Sequence, residues 1–192
     1  MGHSTIRNKK GFTLTEMIVS MGIGMVVLAG VTTTFMSQAR YYNAQEQVNE
    51  MEQNARGALD VITRELKMAG YNPNGGSVTG VTYNASQLRI QADLDGSGGS
   101  PTGANEDIVY AYDSANKQIL RNGQVLADNI TAFDFTYYKA DGITTTTTSS
   151  EIRQVKIDIT ARTSKLDPNY SSNGGYKTYQ VFNTITPINL AL

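Results

Sequence analysis

The sequence contains no cysteine and no tryptophan, and its only histidine is His3, close to the N-terminus. Without cysteine, the chain cannot form a disulfide bond, supply a thiolate nucleophile or hold a zinc or iron–sulfur centre through sulfur. A single histidine in a basic N-terminal stub excludes a Ser-His-Asp triad in the rest of the chain and leaves no imidazole there for general base catalysis. Composition therefore favours a structural or interaction protein over an enzyme, and we predict no catalytic residue.

The sequence also lacks an excess of charge of one sign. Its 16 Lys and Arg and 17 Asp and Glu give a formal net charge of −1. A protein that binds nucleic acid electrostatically shows a basic excess, so nucleic acid is not expected as a partner. A chain of 192 residues is long enough for one domain with a real core and an appendage.

One long apolar run follows a basic N-terminal stub. Residues 1–11 carry three basic side chains and no acid, and residues 12–36 then contain a single charge, Glu16. About 20 apolar residues cross a bilayer as a helix. The basic flank predicts that residues 1–11 are cytoplasmic and that the chain after about residue 37 lies outside. No small-residue cleavage pattern ends the run, so we expect it to remain in the mature protein.

Glu16 is not explained by a simple membrane anchor, because a carboxylate inside a spanning segment is costly unless it finds a partner. The segment KKGFTLTE, which ends at Glu16, resembles the processing site of type IV prepilins and pseudopilins. In that family a membrane peptidase cuts after the glycine, and the new N-terminal residue is methylated. The resemblance implies cleavage between Gly11 and Phe12 and methylation of Phe12. It also implies that Glu16 pairs with the Phe12 amine of a neighbouring subunit during assembly, whereas the alternative is a plain signal anchor.

Residues 37–69 keep a helical periodicity but carry their apolar side chains on one face. Gly70 and Pro73 then indicate the end of the helix. The stripe covers only about three heptads, so packing against a sheet is favoured over a coiled coil. The apolar positions recur at spacings of three and four: Val48, Met51, Ala55, Leu59, Ile62, Leu66 and Ala69.

The remaining sequence alternates short apolar runs with Gly, Asn, Ser and Thr, which is typical of strands joined by turns. Asn122-Gly123 and Asp141-Gly142 indicate hairpin turns. The Ser/Thr run from Thr144 onward is predicted to be a mobile loop, with an exposed edge or a glycosylated patch as the alternative. Strands are predicted near 78–83, 87–92, 107–112, 117–121, 124–126, 129–138, 152–163 and 177–186.

These patterns predict an α+β fold, in which a long N-terminal helix packs on a mainly antiparallel β-sheet head. The resemblance implies the same architecture, the pilin fold. The predicted division is a leader peptide at 1–11, a transmembrane and filament-core helix at 12–36, an amphipathic helix at 37–69 and a β-rich head at 70–192.

Asp93 and Asp95 lie beside glycines in the segment DLDGSG, and hard cations such as calcium prefer carboxylate oxygens on a bending loop of this kind. However, a third carboxylate is absent, and the position of the bidentate glutamate in an EF-hand loop is occupied by alanine. Glu106 and Asp107 contribute only if the loop folds back. We therefore favour a Gly/Asp turn and expect no cofactor, with calcium at Asp93 and Asp95 as the alternative.

Two stretches resemble PilW-type minor pilins and the related J-type secretion pseudopilin: residues 87–96 with 107–110, and residues 186–190. At Ile188 many relatives would have arginine. The chain is interpreted as a minor pilin that helps to initiate a type IV pilus near its tip. The alternatives are a type II secretion pseudopilin, a major pilin and a membrane-anchored surface adhesin.

The resemblance also implies the partners and the location of the chain. The implied partners are other minor and major pilins, the prepilin peptidase, the inner-membrane assembly platform and, before assembly, membrane lipid. The chain is expected to cross the inner membrane once with its head outside the cytoplasm, and then to join a pilus on the cell surface.

Overall fold

The computed structural model describes residues 11–98, 101, 103 and 105–190. The predicted leader lies outside these residues except for Gly11. One α-helix, α1, covers Leu14–Lys67, and short 3-10 turns lie at Ser149–Glu151, Ser172–Gly175 and Ile188–Leu190. The strands that follow α1 are β1 (Val81–Thr82), β2 (Gln87–Gln91), β3 (Asp107–Asp113), β4 (Gln118–Arg121), β5 (Gln124–Ala127), β6 (Ile130–Tyr138), β7 (Gln154–Arg162) and β8 (Thr178–Ile185).

The chain divides into two compact units, residues 1–45 and 46–192. The first unit contains the apolar part of α1. By length and composition alone, this helix could cross a membrane. The large apolar side chains of this unit are exposed in the part of the chain that the structure describes. A helix that is apolar all round needs a membrane or another protein around it.

The second unit begins with α1 residues from position 46 onward, which have one buried face. The prediction that this segment packs on a sheet is confirmed. Of the predicted stripe, Val48 is only partly buried, and Ala69 is buried just after the helix ends at Lys67; Ala58 is buried in addition. The side chains that α1 buries are Met51, Ala55, Ala58, Leu59, Ile62 and Leu66.

Two antiparallel sheets form the rest of this unit, so the predicted α+β fold class is confirmed. The first sheet has the order β1-β2-β3-β4-β5 and the second has the order β6-β7-β8. Each predicted strand overlaps an observed one, but the single sheet that was expected is divided. The division falls between β5 and β6, where Asn129 has φ of 57° and the register shifts after Ile130. This left-handed residue turns the chain away from β5, and β6 pairs with β7 instead.

The core lies between α1 and the two sheets. In β7 the residues at alternate positions are buried, as the period-two pattern predicts for a strand covered on one face. The hydroxyl of Tyr112 on β3 donates to the carbonyl of Ile130 on β6 (3.0 Å), which joins the two sheets. The Ser/Thr run is a loop, but Thr146 within it is buried and donates to Glu151 (2.8 Å).

Two glycines in this unit differ in the space that an added side chain would find. A Cβ at Gly80 would lie 2.4 Å from the backbone nitrogen of Gly70, so the two backbones approach too closely for any other residue. At Gly57, in the exposed part of α1, an added Cβ would meet nothing within 4 Å. Glycine inside a helix costs about 0.5–1 kcal/mol relative to alanine.

We therefore expect Gly57→Ala to raise the free energy of unfolding by up to about 1 kcal/mol. Gly80→Ala should lower it by more than about 2 kcal/mol, because backbone atoms cannot move aside cheaply. Urea unfolding of the detergent-solubilised protein measures both. A Gly80→Ala variant as stable as the parent protein would contradict the close approach.

Candidate functional site

The N-terminal end of α1 is closed by Thr13 and Glu16. The Glu16 carboxylate oxygen Oε2 accepts hydrogen bonds from the Thr13 backbone N–H (2.9 Å) and the Thr13 hydroxyl (2.8 Å). In return, the Glu16 backbone N–H donates to Thr13 Oγ1 (3.3 Å). This is a capping box, in which a threonine before the helix and a glutamate three residues later satisfy each other's N–H groups.

The capping box gives Glu16 a polar partner inside its own chain. It uses Oε2, and among the described residues no donor or cation is bonded to Oε1. The helix N-terminus also favours a negative charge at this position, because the unpaired N–H groups carry partial positive charge. The carboxylate is therefore held in place through Oε2.

Gly11 and Phe12 precede the helix. Neither residue is helical, and Phe12 is 89% exposed. No atom lies within 4 Å of the position that a Cβ of Gly11 would occupy. The peptide bond between them is thus in an exposed, non-helical segment, which is the form that a peptidase can bind.

Thr13 has a structural role at the start of the helix that the sequence interpretation did not include. Its signal is present in the sequence, since Thr13-Leu14-Thr15-Glu16 has the S/T-x-x-E pattern of a capping box directly before an apolar run. The same residues also belong to the motif that predicts processing and assembly, and that motif does not by itself indicate the local structural role.

The acidic loop, residues 93–98 together with Glu106, brings three carboxylates together. The ligand oxygens of Asp93, Asp95 and Glu106 all lie within 4.8 Å of one another. The loop therefore folds back, as a third contribution from Glu106 requires. Asp107 does not join them, because Arg89 binds both of its oxygens (2.7 and 2.6 Å).

Glu106 is nearly buried, and backbone N–H groups surround its carboxylate. Oε1 accepts from Leu94 (3.0 Å) and Asp95 (3.1 Å), and Oε2 accepts from Gly103 (3.1 Å). A buried carboxylate is stable only when such hydrogen bonds replace water. Glu106 therefore organises the loop backbone.

Asp93 also organises the loop backbone by accepting hydrogen bonds from its N–H groups. It is almost wholly buried, and its two oxygens accept from the N–H groups of Gly96 (2.8 Å) and Gly98 (3.2 Å). Asp95 is exposed, and the N–H of Ser97 is the main cause that lowers its pKa below the usual range. All three groups can offer oxygen to a cation, but the two buried ones already support the turn.

A second polar cluster, which the sequence did not reveal, connects α1 to the first sheet. Arg121 on β4 forms an ion pair with Glu65 on α1 (2.8 Å), and the hydroxyl of fully buried Tyr110 on β3 donates to the same carboxylate. Burial, and then the hydrogen bond to Glu65, raise the pKa of Tyr110, so its hydroxyl remains a donor. The cluster fixes the last turns of α1 on the sheet.

Three comparisons relate the chain to known proteins. The profile of the prokaryotic N-terminal methylation motif matches residues 6–32. The chain is similar to the pilin-like protein PilA3 of Thermus thermophilus, with 37% identity over 62 residues, which are 32% of this chain and 27% of that protein. It thus spans only about a quarter of that relative. It is also similar in structure to a type IV-like pilin from Thermus thermophilus, with 16% identity, coverage of 75% of this chain and 98% of that one, and a TM-score of 0.47.

Proposed function

We propose that this chain, which belongs to the type IV pilin family, is a minor pilin that helps to initiate a type IV pilus near its tip. The family is structural and not enzymatic. The observation that carries the proposal is the methylation-motif match at residues 6–32, which includes Gly11, Phe12 and Glu16. The exposed apolar side chains in the first part of α1 support membrane anchoring before assembly.

We propose that the prepilin peptidase cuts after Gly11 and that Phe12 is then methylated. The exposed, non-helical peptide at this point supports the assignment. Cleavage creates a charged amine on Phe12, close in sequence to the Glu16 carboxylate. Residues 12–36 then form the membrane and filament-core segment, and the head lies outside the cytoplasm.

Glu16 is proposed to change partner during assembly. In the single subunit, its carboxylate is held by the Thr13 cap. In the filament, its second oxygen accepts a hydrogen bond from the charged Phe12 amine of a neighbouring subunit. An ion pair in an apolar environment is favourable only when both partners are present, so the contact selects correctly placed subunits. The inner-membrane assembly platform brings the subunits together.

The two stretches that resemble PilW-type minor pilins meet at the end of α1. Residues 87–91 form β2, where Gln91 O accepts the N–H of Gly70 (2.9 Å). In the C-terminal stretch, Asn189 donates to the carbonyls of Met68 (3.5 Å) and Ala69 (3.4 Å). Their shared location supports the minor-pilin assignment but also fits a secretion pseudopilin. Location of the gene in a pilus operon or in a secretin operon separates the two.

Glu16→Ala tests the assembly role, with Thr13→Ala as the matched control. Both variants lose the capping box, which is worth about 0.5–2 kcal/mol. Only Glu16→Ala loses the docking carboxylate. We expect it to be processed and present in the membrane yet absent from sheared filaments, whereas Thr13→Ala is incorporated.

Quantitative mass spectrometry of the sheared filaments gives the result. Normal incorporation of Glu16→Ala would contradict the docking role. Parity of the wild-type protein with the most abundant pilin would contradict a minor, tip-proximal position.

For the acidic loop, we propose a structural turn without a resident cation. The backbone hydrogen bonds of Asp93 and Glu106 support this, because they already compensate burial of both groups. Thermal unfolding of the detergent-solubilised protein should give equal midpoints in millimolar calcium and in chelator. A midpoint raised by calcium, and lowered again by Asp95→Asn, would establish the calcium site instead.

A further inference from the structure

Three asparagines of the chain, Asn74, Asn122 and Asn173, are each followed directly by glycine. The asparagine amide is chemically labile in water. A following glycine makes it more so, because glycine has no Cβ to shield the next backbone nitrogen and its backbone turns freely. All three asparagines are exposed, and a Cβ added at any of the following glycines would meet nothing within 4 Å. Access to solvent therefore does not distinguish the three positions.

Hydrogen bonds hold the side-chain amide of Asn122 firmly on β3. Its Oδ1 accepts from the N–H of Val109 (2.7 Å), and its Nδ2 donates to the carbonyl of Asp107 (3.3 Å). The flanking residues Arg121 and Gln124 pair with each other in the hairpin of β4 and β5. Neither the amide nor the backbone of Asn122 can rotate until some of these bonds are broken.

Asn74 is restrained at both of the groups that would have to move. Its Nδ2 donates to the carbonyl of Gly96 in the acidic loop (2.5 Å). The backbone nitrogen that follows it, that of Gly75, donates to the carbonyl of Asn72 (3.3 Å). A reaction between this amide and this nitrogen therefore requires both bonds to open.

Asn173 has the weakest restraints of the three. It lies in the connection between β7 and β8, and among the described residues its side chain has one hydrogen bond, from Nδ2 to the hydroxyl oxygen of Thr178 (3.3 Å). The backbone is left-handed at Asn173 (φ 50°, ψ 35°) and at Gly174 (φ 65°, ψ 25°), which interrupts the short turn Ser172–Gly175. No pair of strand residues has to separate for the Asn173 amide to turn towards the next backbone nitrogen.

We propose that Asn173 is a site of spontaneous deamidation that reacts faster than Asn74 and Asn122. The backbone nitrogen of Gly174 gives up its proton and forms a bond to Cγ of Asn173. The bond between Cγ and Nδ2 breaks, and Nδ2 leaves as ammonia. Water then opens the succinimide ring at one of its two carbonyl carbons, which gives either aspartate or isoaspartate. The reaction consumes water and needs no oxidant, reductant or enzyme.

The product changes the connection that leads into β8. Deamidation adds one negative charge shortly before a strand that has no charged residue. Isoaspartate also adds one carbon atom to the main chain, in a connection whose two sides are joined by the ion pair of Asp167 with Lys177 (3.2 Å) and by the N–H of Asp167 donating to the carbonyl of Gly175 (2.8 Å). Because water is the only reagent, the modified fraction increases with the age of the chain.

The test incubates the full chain, solubilised in detergent, in mildly alkaline buffer made with heavy-oxygen water. Peptide mapping by mass spectrometry then measures the heavy oxygen at each of the three asparagines, so that only product formed during the incubation is counted. We expect Asn173 to react at least about tenfold faster than Asn122, because the Asn122 amide must first give up its bonds to β3. Equal rates, a faster reaction at Asn74 or Asn122, or no label at Asn173 would overturn the inference.

The same chain unfolded in urea is the control for the effect of structure. There the three Asn-Gly pairs should react at similar rates, since none of them keeps its hydrogen bonds. If Asn173 kept its full lead in urea, the fold would not be the cause and the inference would be wrong. Asn173→Gln is the control for the chemistry, because its longer side chain cannot close the same ring with Gly174. Label that persisted at this position in Asn173→Gln would contradict the assignment.

Discussion

The position of the Glu16 carboxylate is the main physical constraint on this chain. It lies at the start of a long apolar helix, where a charge without a partner costs free energy if the helix enters a bilayer. The Thr13 cap supplies hydrogen bonds to one oxygen and leaves the other without a bond among the described residues. In the proposed assembly, this second oxygen is the one that binds the amine of a neighbouring subunit.

The second constraint is that one helix serves two environments. Along its first part, α1 is apolar on all faces, and these apolar side chains are exposed among the described residues. From position 46 onward it buries one face on the sheets, and Glu65, Tyr110 and Arg121 tie its last turns to β3 and β4. The head unit thus has its own buried core, and the first unit exposes its apolar side chains.

Much of the fold could be predicted from local patterns. The strands could be located because their apolar residues alternate with polar ones. The buried face of α1 could be located because its apolar residues recur at spacings of three and four residues. The division into two sheets was not predicted, because it depends on the backbone of Asn129, and asparagine is equally common in ordinary turns. Long-range polar contacts, such as Glu65 with Tyr110, have no signal in a single sequence.

For the candidate site, the sequence predicts Gly11, Phe12 and Glu16 through one short motif. It left Glu106 conditional on a loop that folds back, and the structure shows that fold. Whether three clustered carboxylates hold a cation or a backbone turn depends on which N–H groups face them, and spacing alone does not contain that information.

The mature N-terminus tests the central claim most directly. Intact-mass and N-terminal sequence measurement of the native protein should find the 192-residue chain without its first eleven residues, beginning at a methylated Phe12. A chain that begins at Met1, or at any residue beyond Phe12, would contradict the account.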